Sequence, residues 1–283
     1  MGVIKRGTND EFYTHYEGIE ILFDKYVDEN NIIGKKIYCN CDDYRMSNFV
    51  KYFKDNFDKY ELKELIATNY DIGDGAYIYT YDGENETVTE GIEDGSFEHY
   101  DYLLDDDTVI VTNPPFSQSR KYFEYLYTNN THFIVLNTLT QIAKFGKGHY
   151  NELYGVKTAH YIFYYTNDDS YADKDKKHIV TSTAISNMRF KDTPSKIYEL
   201  TYKYDDCERK HLDEWNGKRK NILECKYCKK IPNDYYDLMA VPISFLWLNN
   251  DIRDMFEIVD MTCLEHTFYR FLIKRKLNTM TDS

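Results

Sequence analysis

The fold of this chain is decided by the stretch Thr108-Val-Ile-Val-Thr-Asn-Pro-Pro-Phe116. Its first five residues form an apolar run that predicts a buried β-strand ending at the tetrapeptide. The two prolines fix φ and cannot donate backbone hydrogen bonds, so the loop presents rigid acceptors beside an aromatic ring. In open α/β sheets, ligands bind at the carboxyl ends of the strands. The pattern therefore predicts a site for a planar substrate with an amino group, such as a nucleobase.

Neighbouring segments predict the sheet to which this strand belongs. Lys36–Cys39 and His132–Asn137 are typical of buried strands, while residues 47–57 and 119–127 are typical of helices. This alternation indicates an α/β fold with a mostly parallel sheet and helices on both faces. A turn at Asp82-Gly83 between two alternating segments predicts a small hairpin. Farther along, residues 191–230 are polar and irregular, and a helix is predicted over residues 263–277.

Composition and charge limit the functions open to this chain. Its 283 residues, 42% of them hydrophobic, can bury the core of one large domain. It lacks an apolar run of about 18 residues, so no membrane span is expected. Six cysteines without an export signal favour reduced thiols in a cytosol. The net charge of -13 argues against bulk nucleic-acid affinity, but residues 1–100 hold almost all of it.

A possible nucleic-acid surface lies between residues 203 and 230. This stretch contains nine basic and six acidic residues, interleaved with Tyr204, Trp215 and Tyr227. An ordinary solvated face of mixed charge explains the same composition equally well. A polyanion would in either case be met by the second half of the chain.

Two other groups of residues could bind a ligand or a metal. The segment Asn40-Cys-Asp-Asp43 follows a predicted strand and could hold a ribose or amino-acid group, or could simply form an Asx-turn. Neither a G-x-G-x-x-G sequence nor a Walker A sequence is present, which argues against a phosphate-cradling site. A zinc set of Cys207, His211, Cys225 and Cys228 is a weaker hypothesis, because the spacing matches no common zinc finger.

Four blocks carry a resemblance to a known family: Asp10-Glu-Phe-Tyr-Thr14, Tyr38-Cys-Asn-Cys-Asp-Asp43, Val111-Thr-Asn-Pro-Pro-Phe-Ser117 and Val241-Pro-Ile-Ser-Phe-Leu246. With these blocks in order, the chain resembles the EcoRI-type adenine-specific DNA methyltransferases. The resemblance implies a class I, Rossmann-like methyltransferase fold that uses S-adenosylmethionine and needs no metal. It implies methylation of the exocyclic amino group of adenine in double-stranded DNA after base flipping. Restriction-modification, an orphan role and phage DNA protection, in a bacterial or phage-infected cytoplasm, are all compatible with it.

The resemblance also assigns roles to individual residues. The catalytic residues it implies are Asn113, Pro114, Pro115 and Phe116. The cofactor-binding residues it implies are Tyr13, Thr14, Asn40, Asp42, Asp43, Ser96, Phe97 and Asn113. One departure is that the family shows Gly-Asp-Phe where this chain has Asp94-Gly-Ser-Phe97, so that either Ser96 or Asp94 would contact the adenine of the cofactor.

The same resemblance gives a domain organisation. We expect a cofactor-binding and catalytic domain over residues 1–190, a target-recognition region over 191–235, and a C-terminal segment over 236–283 packed back on the catalytic domain. Three other functions stay open at this point. They are an amino-methyltransferase acting on RNA or protein glutamine, a catalytically silent nucleic-acid-binding or mimic protein, and a metal-stapled interaction module.

Overall fold

A computed structural model describes residues 12–69, 75–91, 95–158, 162–165, 177–179, 182–193, 195–208, 211–264 and 268–276. Strands and helices are numbered β1–β16 and α1–α5 along the chain, and the strands form three sheets. The helices are α1 (Tyr16–Ile21), α2 (Asn48–Asp55), α3 (Ser119–Thr128), α4 (Leu139–Phe145) and α5 (Asn250–Asp254). Helix α1 continues as one turn of π-helix, Leu22–Tyr26. Among the described residues, no helix is long and apolar enough to cross a membrane.

The largest sheet carries the predicted strands. Its members are β2 (Lys36–Cys39), β3 (Glu64–Thr68), β4 (Tyr77–Tyr81), β5 (Glu86–Glu90), β6 (Thr108–Thr112), β7 (His132–Asn137), β8 (Tyr154–Lys157) and β11 (Thr183–Ser186). They lie in the order β5-β4-β3-β2-β6-β7-β11-β8, with β3, β2, β6 and β7 pairing in parallel. Of these eight described strands, β4 and β11 run against the other six. The prediction of a mostly parallel sheet is confirmed.

Side-chain alternation along the central strands explains why both faces are covered. In β6, Val109 and Val111 belong to a core cluster that includes residues of α1 and α2. Ile110 belongs to a second cluster, which includes residues of α3 and α4 on the opposite face. Successive strand residues point to opposite faces, so a strand buried on both sides becomes continuously apolar. This is why the unbroken apolar run at β6 indicates a central position.

Short-range sequence signals account for the local structure around the sheet. Ser47 caps α2, since its hydroxyl accepts hydrogen bonds from the backbone N–H groups of Phe49 at 3.1 Å and Val50 at 3.4 Å. The predicted hairpin is present as β4 and β5, paired in antiparallel fashion. Gly83 in its turn has a φ of 103°, a value that suits glycine.

A second sheet contains the C-terminal part of the chain. Its strands are β12 (His211–Trp215), β13 (Lys218–Glu224), β14 (Met239–Pro242), β15 (Phe256–Leu264) and β16 (Phe268–Arg275), in the order β12-β13-β14-β16-β15. The helix predicted over residues 263–277 is therefore wrong. Phe271, Leu272 and Ile273 are all fully buried, and a strand buried on both faces has the same short apolar run as a buried helix.

The second sheet contains strands from the polar stretch 191–230 and strands from the C-terminal segment that follows it. The hairpin of β12 and β13 lies within the stretch that the sequence predicts to be irregular, and β13 pairs in parallel with β14. The amide of Asn151 clamps the backbone of Ile258 on β15, donating to its carbonyl at 3.0 Å and accepting from its N–H at 2.7 Å. A third, small antiparallel sheet consists of β1 (Phe12–Thr14), β9 (Ile162–Tyr165) and β10 (Lys177–Ile179).

Candidate active site

An asparagine stands at the carboxyl end of each central parallel strand. Asn40, Asn69 and Asn113 directly follow β2, β3 and β6, and Asn137 is the last residue of β7. Because these strands are parallel neighbours, the four side chains lie along one edge of the sheet. Ligands bind at this edge in open α/β sheets.

The loop of residues 113–116 is held by hydrogen bonds behind its acceptor groups. The hydroxyl of Ser119 donates to the carbonyl of Phe116 at 2.7 Å. The amide nitrogen of Asn137 donates to the same hydroxyl at 3.0 Å, and both of these polar side chains are fully buried. Pro114 is buried as well, while Asn113 and Phe116 are half-buried. The loop is thus anchored to β7 and α3 and keeps two partly accessible side chains at the edge.

The neighbouring loop, residues 40–43, is anchored to the same helix. The hydroxyl of Tyr122 on α3 donates to Oδ1 of Asn40 at 2.6 Å, and both residues are buried. Burial raises the pKa of Tyr122 well above its ordinary value, so the phenol stays protonated and acts as a donor. The backbone N–H of Asp42 donates to the carbonyl of Thr68 on β3 at 3.1 Å. The 40–43 loop therefore has a fixed position between β3 and α3.

Asp42 connects this loop to the strand that carries the Asn-Pro-Pro-Phe sequence. Its carboxylate accepts hydrogen bonds from the hydroxyl of Ser47 at 2.6 Å and from the hydroxyl of Thr112 at 2.5 Å. Only 7% of the residue is exposed. Burial raises the pKa of Asp42 to about 6, although the two hydroxyl hydrogen bonds oppose that shift.

Asp43 has a different environment from its neighbour. Arg45 approaches it with two nitrogens, Nε at 3.0 Å from Oδ1 and Nη2 at 2.7 Å from Oδ2. Burial acts to raise the pKa of Asp43, but the hydrogen bonds led by Arg45 hold it below the ordinary value. The guanidinium of Arg45 also lies 5.3 Å from the ring centroid of Tyr77, on β4. Asp43 is thus a charged, partly accessible carboxylate, whereas Asp42 faces the protein interior.

Thr14 reaches the same edge from the end of β1. Its backbone carbonyl accepts a hydrogen bond from the side chain of Asn48 at 2.8 Å, and Asn48 is the first residue of α2. The hydroxyl of Thr14 is buried and has no hydrogen-bond partner among the described residues. A buried hydroxyl without a partner is costly unless a ligand completes it. The side chain of Tyr13 lies outside the described part of the structure.

Ser96 and Phe97 lie beside the end of β3. A side chain at Gly95 would bring its Cβ to 2.0 Å from the carbonyl oxygen of Asn69, and the φ of Gly95 is 72°, so this position requires glycine. The ring of Phe97 packs edge-on against Tyr122 with the centroids 4.9 Å apart. Ser96 is buried. Asp94, the alternative to Ser96, lies outside the described residues.

The structure therefore brings Thr14, Asn40, Asp42, Asp43, Ser96, Phe97 and Asn113 to one edge of the sheet. The proposed zinc residues gain no comparable support. Burial, together with the nearby thiols of Cys207 and Cys228, raises the pKa of Cys225 to about 12. Within the described ranges, which include all four candidates, no group of three or more His, Cys, Asp or Glu side chains could hold a metal ion.

Sequence reasoning missed the residues that hold this site together. Tyr122, Thr112, Ser119 and Asn137 all point inward and form hydrogen bonds with groups distant in sequence. The recurrence of asparagine at the ends of the central strands is the one signal that could have drawn attention to Asn137. The other three residues resemble ordinary core or helix positions in the sequence.

Comparison with known proteins gives a consistent result. Residues 3–282 match the model of the family described as adenine-specific methyltransferase EcoRI. The type II methyltransferase M.EcoRI of Escherichia coli is 32% identical over 90% of this chain and 86% of its own length. The type II methyltransferases M.MgeORF184P of Mycoplasma genitalium and M.MpnI of Mycoplasma pneumoniae are 27% and 28% identical over 93% of this chain, covering 86% and 85% of their own lengths. No solved structure gives a significant match.

Proposed function

The chain belongs to the EcoRI family of adenine-specific DNA methyltransferases, and we propose that it transfers a methyl group from S-adenosylmethionine to the exocyclic amino nitrogen of an adenine flipped out of double-stranded DNA. The observation that carries this proposal is the junction of two loops at the carboxyl edge of the sheet. The 113–116 loop supplies acceptors for an amino group, and the 40–43 loop lies beside it. The hydrogen bond between Asp42 and Thr112, the residue of β6 that directly precedes the 113–116 loop, connects the two loops.

The 113–116 loop has the chemistry that amine methylation needs. The amino nitrogen of adenine is a poor nucleophile because its lone pair delocalises into the ring. We propose that Oδ1 of Asn113 and the carbonyl of Pro114 accept its two hydrogens and so favour a tetrahedral nitrogen with an available lone pair. As positive charge develops on that nitrogen, the same two oxygens stabilise it. Preorganised groups of this kind contribute about 10²–10³-fold in rate, by analogy with oxyanion-hole donors.

The cofactor proposal rests on polar groups around the 40–43 loop. The buried hydroxyl of Thr14 fits a ligand that completes its hydrogen bonding, and Tyr13 and Thr14 are proposed to contact the methionine part of the cofactor. Asn40 and Asp43 are the first and last residues of the 40–43 loop, which is proposed to take the place of the usual glycine-rich cofactor-binding loop. Ser96 and Phe97 are proposed to contact the adenine of the cofactor. When bound, S-adenosylmethionine supplies a methyl group activated by its positively charged sulfur.

Flipping the target adenine costs a few kcal/mol. We propose that the half-buried ring of Phe116 offsets part of that cost by stacking on the base. Stacking of a base on an aromatic side chain contributes about 1–3 kcal/mol. We propose residues 191–235 as the region that meets the DNA duplex. Cations lie over aromatic rings there, with Nζ of Lys230 5.7 Å from the ring centroid of Tyr202 and Nζ of Lys226 5.6 Å from that of Tyr227.

The proposed function has a direct test. The protein is expressed in a host free of adenine methylation, and the host DNA is sequenced for 6-methyladenine and its sequence context. In parallel, purified protein is given labelled S-adenosylmethionine with DNA, RNA or protein extract. Label in 6-methyladenine of DNA within a fixed sequence supports the proposal. Label confined to RNA or protein, or failure to bind the cofactor in calorimetry, contradicts it.

The variant Asn113→Ala tests the assignment of the catalytic loop. We expect methyl transfer to fall at least 10²-fold while the affinity for S-adenosylmethionine changes little, because the lost oxygen acts on the adenine. Asn129→Ala is the matched control, since Asn129 follows the far end of α3 and its side chain, among the described residues, bonds only the carbonyl of Tyr125. Near-normal transfer by Asn113→Ala would exclude the proposed role.

A further inference from the structure

Asp42 lies where three elements of the candidate site meet. Its backbone N–H bonds β3 through Thr68, and its carboxylate bonds the N-cap of α2 through Ser47. The other carboxylate oxygen bonds Thr112, the residue immediately before Asn113.

We propose that Asp42 is a positioning residue for methyl transfer, which fixes Asn113 relative to the cofactor loop through the hydroxyl of Thr112. This inference rests on the proposed function and assigns Asp42 a role within the protein in place of direct contact with the cofactor. Both carboxylate oxygens already accept hydrogen bonds from protein hydroxyls. Asp43, with its partly accessible carboxylate, is the better candidate for cofactor contact.

The choice of a carboxylate at this position has a chemical reason. Two hydroxyl donors approach two separate oxygens, and an ionised carboxylate can accept both, whereas an asparagine offers a single oxygen. Burying that charge is unfavourable, and among the described residues its hydrogen-bond partners include no cation. The titratable groups that interact electrostatically with Asp42 are Asp43, Cys39, Cys41 and Tyr122. Of these, Cys39, Cys41 and Tyr122 are neutral at pH 7. If Asp42 served only the stability of the fold, a neutral side chain could replace it without the cost of burying a charge. A buried carboxylate at this position therefore favours a role in positioning.

The geometry gives the mechanism of positioning. Thr112 and Asn113 are adjacent, so any shift of the Thr112 side chain away from Asp42 moves the start of the 113–116 loop. Methyl transfer needs the amino nitrogen aligned with the donor methyl, and a misplacement of about 1 Å can lower the rate by up to 10²-fold. Loss of the hydrogen bond between Thr112 and Asp42 should therefore lower kcat far more than it weakens cofactor binding.

The test compares three substitutions on strand β6. Thr112→Val keeps the side-chain shape and removes the hydroxyl, so kcat should fall at least tenfold while the Kd for S-adenosylmethionine changes less than threefold. Thr112→Ser restores the hydroxyl and should recover most of kcat. Thr108→Val is the matched control, because the buried Thr108 also donates to an aspartate, Asp105, at 2.8 Å but stands at the opposite end of the strand.

A double-mutant cycle isolates the pair itself. Asp42→Asn combined with Thr112→Val should lower kcat no further than the more damaging single variant, since both remove the same connection. Wild-type kcat in Thr112→Val, losses in Thr108→Val equal to those in Thr112→Val, or multiplicative losses in the double variant would overturn the inference. Each of these outcomes leaves DNA methylation by the wild-type protein in place, so the inference can fail while the proposed function stands.

Discussion

The buried carboxylate of Asp42 predicts an unusual pH dependence of stability. Its pKa rises from an ordinary 3.8 to about 6 in the folded protein, chiefly because burial disfavours the charge. The folded state therefore holds the proton more tightly than the unfolded state. Stability that is present below about pH 4 is lost as the pH rises to about 6, because the carboxylate ionises in its buried position. The variant Asp42→Asn, which is neutral at every pH, should escape this loss.

The expected magnitude follows from the size of the shift. A difference of about two pKa units corresponds to about 3 kcal/mol, at 1.36 kcal/mol per unit. Subtracting the free energy of unfolding of the wild type from that of Asp42→Asn removes the contributions of all other groups, provided their pKa values are unchanged. This difference should increase by about 2.4 kcal/mol between pH 4 and pH 7.5, because part of the change falls below pH 4, and most of the increase should lie between pH 4 and pH 6. Asparagine cannot accept both of the hydrogen bonds that the carboxylate accepts. This loss lowers the difference in unfolding free energy by the same amount at pH 4 and at pH 7.5.

Urea unfolding followed by circular dichroism, at four values of pH from 4 to 7.5, measures this difference. Asp107→Asn provides a comparison of opposite sign. Lys63 and Lys35 hold the pKa of Asp107 down at about 2, so its contribution is present above about pH 4 and is lost on acidification. The difference between Asp107→Asn and the wild type should therefore stay nearly constant from pH 4 to 7.5 and should change, with the opposite sign, only below about pH 4. A difference for Asp42→Asn that is flat across the pH range would refute the reasoning from burial.

Two further predictions concern the supports of the site. Ser119→Ala removes the hydroxyl that donates to the Phe116 carbonyl. The free energy of unfolding should fall by about 1–3 kcal/mol, which thermal melts can measure. In steady-state kinetics, kcat should fall by a larger factor than the affinity for the cofactor. Gly95→Ala should destabilise the protein and weaken binding of S-adenosylmethionine in calorimetry, because the new Cβ collides with the Asn69 carbonyl. Gly148→Ala, at a φ of 93° but with open space around it, should show only the smaller conformational cost. Equal effects of the two glycine substitutions would contradict the collision.

Local patterns predict the central sheet because burial on both faces leaves a continuous apolar run in the sequence. β2 and β7 have the predicted bounds, and α2 lies within the predicted helical residues 47–57. The same reasoning fails at β16, where the apolar run is ambiguous and antiparallel pairing with β15 decides in favour of a strand. Strand pairing between distant segments is information that a local pattern does not contain.

The candidate site shows the same limit for side chains. The spacing of the 40–43 loop indicates which polar groups reach the sheet edge but not which way each group turns. Asp42 and Asp43 are adjacent and chemically identical in sequence, yet one is buried against hydroxyls and the other is paired with Arg45. The partner that separates their roles, Thr112, is 70 positions away from Asp42. Only the parallel register of β2 and β6 brings them together.

The asparagines at the strand ends suggest how this edge is built for chemistry. A parallel strand that stops leaves backbone groups in need of partners, and an amide can both donate and accept. Asn69 accepts from the N–H of Tyr77 at 2.9 Å, and Asn137 accepts from the N–H of Thr138 at 2.8 Å, so two of these amides bind the protein's own backbone. In the proposed mechanism, Asn113 uses the same amide chemistry on the amino group of adenine. The sheet edge thereby presents to the substrate a side-chain amide, the same group that satisfies backbone hydrogen bonds at Asn69 and Asn137.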